Sequence, residues 1–142
     1  MSISPADTRQ SRVFRKHKII LQQMGYSNKA ISLILNKTNL GALDNPSVCM
    51  TFQSDCGDTL ILYANFTGNI FREVKFQYIG CVGLLSSASA LSLLLQDKSL
   101  EEAANIQESD IYEYLEFIPE GKHDCVEFTI ESLHTMVRRL KK

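Results

Sequence analysis

The sequence predicts an α+β fold in which a three-stranded antiparallel sheet is covered by helices. Three observations predict it. Between Val48 and Tyr78, apolar and polar residues alternate in three runs separated by turn residues. Val82 to Gln96 is apolar nearly all round and rich in small residues, the pattern of a buried helix. His123 to Lys142 carries Val126, Ile130, Leu133 and Val137 at helical spacing, with Arg138, Arg139, Lys141 and Lys142 at the negative end of the helix dipole.

The elements follow in chain order. The first 22 residues hold Arg9, Arg12, Arg15, Lys16 and Lys18 against Asp7 alone, and Val13 to Met24 can form a helix with Val13, Ile20, Leu21 and Met24 as its apolar stripe. Residues 1–25 therefore read as a basic, partly helical arm that is solvated, binds a partner, or serves as an organelle transit peptide. Tyr26 to Asn36 reads as a short helix capped by Ser27, with Ala30, Ile31, Ile34 and Leu35 on one side. Asn36 to Pro46 is turn-rich and reads as loop. In the first strand Val48, Met50 and Phe52 alternate with Cys49, Thr51 and Gln53, which makes Cys49 a small, half-buried side chain. Cys56-Gly57-Asp58 and Thr67-Gly68-Asn69 supply the turns of a meander whose other strands are Thr59 to Phe66 and Ile70 to Tyr78. A lone sheet of three strands is marginal without a cover, and the helices after it provide one. Ser99-Leu100-Glu101-Glu102 is a capping box, Ser109-Asp110 reads as a further helix start, and Pro119 to Lys122 breaks the chain before the last helix.

The chain has 142 residues, 44% hydrophobic and 22% charged, enough for one ordinary domain and too apolar for wholesale disorder. Its formal net charge of -1 argues against a dedicated nucleic-acid binder, which must neutralise many phosphates. No apolar run approaches the ~20 residues that span a bilayer, so no membrane partner is expected. Without an apolar core of the secretory kind near the N-terminus, the expected location is cytoplasmic, with an organelle matrix as the alternative.

Of the four cysteines, three fall at element boundaries. Cys56 sits in a strand turn beside Asp58, Cys81 precedes the buried helix, and Cys125 opens the last helix. In a meander under helices these points can converge at one end of the sheet. A thiolate at a helix start is favoured by the dipole and the free N–H groups. Three thiolates and a carboxylate suit a tetrahedral zinc or an iron–sulfur unit. There is no C-x-x-C pair, and the same pattern fits three buried structural cysteines, so the spacing leaves both readings open.

The blocks Tyr26-Ser27-Asn28-Lys29-Ala30, Asn36 to Gly41, Cys56-Gly57-Asp58, Gly80-Cys81 with Ser86-Ser87-Ala88-Ser89, Lys98 to Ala103, and Pro119 to Cys125 occur in a telling order. From Tyr26 onward the chain resembles the IscU/NifU N-terminal domain family of iron–sulfur cluster assembly scaffolds. The resemblance implies an IscU/NifU-like fold, with residues 26–142 as the scaffold domain. It implies that Cys56, Cys81 and Cys125 hold a nascent [2Fe–2S] cluster or Fe²⁺, with Asp58 as a labile oxygen ligand. Cys125 would accept persulfide sulfur. The implied partners are a cysteine desulfurase of the NifS/IscS kind and acceptor or carrier apo-proteins, with a homodimer possible; the protein itself would be a scaffold and not an enzyme. Zn²⁺ fits the same donors.

This sequence departs from the family pattern in places. Asp124 stands where a His usually precedes the third cysteine, and His123 is one residue earlier, which on a helix rotates the side chain by ~100°. Asp124 can then be a ligand, a base, or a helix N-cap, and His123 a further candidate ligand. The Leu-Pro-Pro-Val-Lys chaperone segment is represented only by Ile118, Pro119 and Lys122, which argues against delivery by a dedicated chaperone. Lys37 replaces a proline, a change in loop stiffness. Tyr26 matches a residue tied to self-association, or else packs on the core at a helix start. Three other functions compete. A zinc-dependent, SufU-like sulfur acceptor would need an insertion between the second and third cysteines, and the 44-residue interval has no room for it. A zinc hydrolase lacks a histidine base other than His123. A degenerate adaptor would not need all three cysteines and Asp58.

Overall fold

The structure, a computed structural model, describes the backbone of residues 5–141 and the side chains of residues 12–141. Among these, six helices and three strands run in the order α1 Pro5–Met24, α2 Asn28–Asn36, β1 Val48–Gln53, β2 Thr59–Thr67, β3 Ile70–Ile79, α3 Val82–Leu95, α4 Leu100–Ala104, α5 Glu108–Leu115 and α6 His123–Leu140. The sheet is the expected antiparallel meander, ordered β1-β2-β3. Alternation puts Leu60, Leu62 and Ala64 of β2 on the buried face beside Phe71, Val74 and Phe76 of β3. The β2–β3 register shifts at Asn65/Phe66. Arg72, outside the paired register, reaches out to Asp97 at 2.8 Å. The outer edge of β3 is met by bridges from Leu40 and Ser99.

Helix α3 is buried on almost every side, as its composition predicts. Its hydroxyls need not reach solvent. Ser86 and Ser87 donate to the Gly83 carbonyl, Ser92 to that of Ser89, and Ser89 to Thr38. Helix α6 packs on α3, α4 and α5, and its predicted stripe Val126, Ile130, Leu133 and Val137 is buried. It ends at Leu140; Lys142, named with its basic end, lies outside the described residues. The Ser99–Glu102 capping box opens α4. No helix among the described residues is long and apolar enough to cross a membrane.

Several local expectations are corrected. Helix α1 begins at Pro5, so the arm is helical well before Val13, and of its expected stripe only Leu21 is buried. Val13, Ile20 and Met24 are about half exposed because the helix meets the body along one row only. The described side chains do not include the arm's Asp7 and Arg9. In α2, Leu33 is buried and Leu35 only partly, a rotation of one position within the same apolar face. The start of α5 lies one residue earlier than Ser109, with Gln107 as N-cap in a box with Asp110. Cys49 is exposed on the solvent face of β1, opposite Tyr63.

Candidate functional site

Two of the expected cysteines meet. Cys81 is the N-cap of α3, and Cys125 lies in the first turn of α6, whose N-cap is Lys122. The α3–α6 packing brings their Sγ atoms to 3.5 Å. Two thiolates on one tetrahedral ion with bonds near 2.3 Å stand about 3.8 Å apart, so this pair is spaced as ligands of a single metal are. Close approach at this point depends on glycine. A Cβ on Gly83 would lie 3.1 Å from the Cys125 sulfur, 3.3 Å from that of Cys81 and 3.3 Å from Lys122 Cδ. A Cβ on Gly80 would lie 3.1 Å from Asp58 Oδ1. Gly80 thus lets the Asp58 carboxylate fold over the start of α3, and Gly83 leaves room for the two sulfurs.

The β1–β2 turn holds Asp58 in place. Its N–H donates to Ser54 Oγ at 3.0 Å, and the Ser54 N–H donates to its carbonyl at 2.9 Å. Cys56 is at the tip of this turn and is exposed. It lines an open groove of about 520 Å³ between β1 and α6, together with Asp58, Asp124, Glu127 and Glu131. The structure therefore joins Cys81 and Cys125, sets Asp58 beside them, and leaves Cys56 on the turn above. Among the described residues, no three His, Cys, Asp or Glu side chains are drawn together tightly enough to hold an ion.

The two paired thiols differ in character. Burial works against ionisation of Cys81, but the N–H of Leu84, the Cys125 thiol, the N–H of Gly83 and the Lys122 ammonium outweigh it, and its pKa lies below the ordinary value. Burial, then the hydrogen bond and charge of Cys81, push the Cys125 thiol up to about 12. Cys81 is thus the half of the pair that ionises first, whereas the expected persulfide acceptor was Cys125. Asp124 is exposed in the first turn of α6 and is not its N-cap; a carboxylate there still favours the helix dipole. His123 is turned toward α5, where its Nδ1 lies 2.9 Å from the Tyr112 hydroxyl. Tyr26 is only 2% exposed, so its ring packs on the core. Sequence reasoning missed Lys122 as the cation beside both sulfurs; its place three residues before Cys125, at a helix start, was the available signal.

Comparison with known proteins places the chain in a family and its fold among solved structures. The family model described as the NifU-like N-terminal domain matches residues 25–142. An iron–sulfur cluster assembly scaffold protein IscU from Haemophilus influenzae is 36% identical over 105 residues, covering 70% of this chain and 83% of that protein. The N-terminal part of a NifU-like protein from Brucella abortus has a similar fold, with a TM-score of 0.62 at 16% identity over 81% of this chain and 93% of that one. A protein from Fervidobacterium islandicum AW-1, provisionally assigned as a cluster assembly scaffold of the SUF system, superposes with a TM-score of 0.61 at 20% identity, covering 78% of this chain and 94% of that one.

Proposed function

The chain belongs to the NifU-like N-terminal domain family, and on that premise we propose that it is a scaffold on which an iron–sulfur cluster is assembled and then passed to acceptor proteins. The observation that carries the reading is the pair of sulfurs, Cys81 and Cys125, set 3.5 Å apart at the starts of two packed helices. Cys56 and Asp58 complete the donor set when the β1–β2 turn closes over that pair. The cargo is a [2Fe–2S] cluster built with sulfur from a cysteine desulfurase. The Cys81 thiolate attacks the outer sulfur of the donor persulfide. Its new S–S bond forms as the donor's S–S bond breaks, and the donor cysteine leaves as thiolate. Lys122 holds negative charge at this point. Asp58, a harder oxygen donor among sulfurs, keeps the cargo releasable.

Anaerobic reconstitution with Fe²⁺, cysteine, a desulfurase and a thiol reductant, which brings the transferred persulfide sulfur to sulfide, tests this reading. The expected result is a visible [2Fe–2S] absorption band that is lost on Cys→Ser at position 56, 81 or 125. Zinc that stays bound at one equivalent per chain while desulfurase turnover rises would instead establish a zinc-dependent sulfur acceptor. In the same assay Asp58→Ala should lengthen cluster lifetime severalfold; an unchanged lifetime and transfer rate would remove Asp58 from the donor set.

A further inference from the structure

Among the described residues, one buried side-chain N or O atom lacks a hydrogen-bond partner: the Tyr26 hydroxyl. Other buried hydroxyls are paired. Ser27 accepts from the Ala30 N–H, Thr129 donates to the Cys125 carbonyl, and Ser132 to that of Phe128. Leaving a hydroxyl buried and unpaired destabilises the fold, and phenylalanine would fill the same space without that cost. The hydroxyl therefore calls for an explanation.

Its surroundings supply one. The Tyr26 N–H donates to the Leu21 carbonyl at 3.1 Å, and Ser27 caps α2, so the residue is fixed from both sides. Gly25 beside it packs against Pro119. The turn from Pro119 is closed by a Lys122 N–H bond to its carbonyl and runs directly into Cys125. Burial first, and then the charges of Cys81 and Cys125, raise the pKa of the phenol, so the group stays protonated and within electrostatic reach of both sulfurs. The two thiols already engage each other. The unpaired O–H therefore lies within electrostatic reach of the point where sulfur cargo arrives.

We propose that Tyr26 is a preset hydrogen-bond donor to the sulfur held at Cys81 and Cys125, a positioning residue that favours the loaded site over the empty one. The inference rests on the scaffold reading above. Anionic sulfur, whether thiolate or sulfide, is a better acceptor than a neutral thiol, so the bond strengthens as the site fills. Removal of the hydroxyl should then have opposite effects on the two states.

The test compares full-length wild type with Tyr26→Phe, loaded anaerobically with Fe³⁺ and inorganic sulfide. Empty Tyr26→Phe should melt at or above the wild-type temperature, because an unpaired buried polar atom is gone. The loaded variant should lose its cluster to a chelator about tenfold faster, with its sulfur-to-iron charge-transfer bands shifted. Equal lifetimes and unshifted bands would overturn the proposal and assign the hydroxyl to a buried water or to packing. A melting point well below wild type in the empty variant would also overturn it, by giving the hydroxyl a structural partner. If wild type itself takes up no cluster, the scaffold reading falls first, and this inference with it.

Discussion

Cys81 and Cys125 touch, yet their environments separate them. One thiol meets the start of α3 and the Lys122 charge, and the other is buried with its pKa pushed up to about 12. Iodoacetamide at pH 8 should therefore alkylate Cys81 at least about tenfold faster than Cys125, read by peptide mass mapping; faster labelling of Cys125 would reverse the assignment. Gly83 gives a second test. Alanine inside a helix is ordinarily favoured over glycine by up to about 1 kcal/mol. Here its Cβ would press on both sulfurs. Gly83→Ala should keep or raise the melting temperature of the empty protein while cutting cluster loading severalfold. At this scale the sequence was only partly legible. Cysteines at element boundaries, with Asp58 two residues after the first, pointed to one site. The thiol that ionises first is set by burial and by N–H groups from separate elements, which no spacing records.

Among the elements, the meander and α3 were readable because their periods differ so plainly: alternation of two in one, apolar on all sides in the other. Helix α1 was harder. Its stripe of Val13, Ile20, Leu21 and Met24 looks like any core-facing row, but the chain provides a partner surface for Leu21 alone. Periodicity identifies an apolar face and cannot say whether another element covers it. The consequence is measurable in urea. Leu21→Ala should cost about 2–3 kcal/mol, and Ile20→Ala, on the exposed row, should stay within about 0.5 kcal/mol of wild type. A large loss at Ile20 would mean that the exposed row is covered in solution.

For the molecule as a whole, the raised pKa of Cys125 links stability to pH. Its ordinary value is 9.0, so the unfolded chain releases this proton first as pH rises. Above about pH 9 the folded state binds more protons than the unfolded one, and stability falls toward pH 12 with a slope of up to ~1.4 kcal/mol per pH unit. Cys81, with its pKa lowered, works in the other sense and contributes stability that is lost as pH falls through its folded value. Urea midpoints measured from pH 8 to 10 should decline beyond 9, and Cys125→Ser should flatten that decline; an equal slope in the variant would place the loss elsewhere. The two sulfurs sit on segments 44 residues apart in the chain. Any ion or atom that joins them staples that span into a closed ring, which restricts the unfolded chain and ties α3 to α6. Filling and emptying the site is then also a tightening and loosening of this clasp, legible as slower and faster amide exchange in the two helices that carry it.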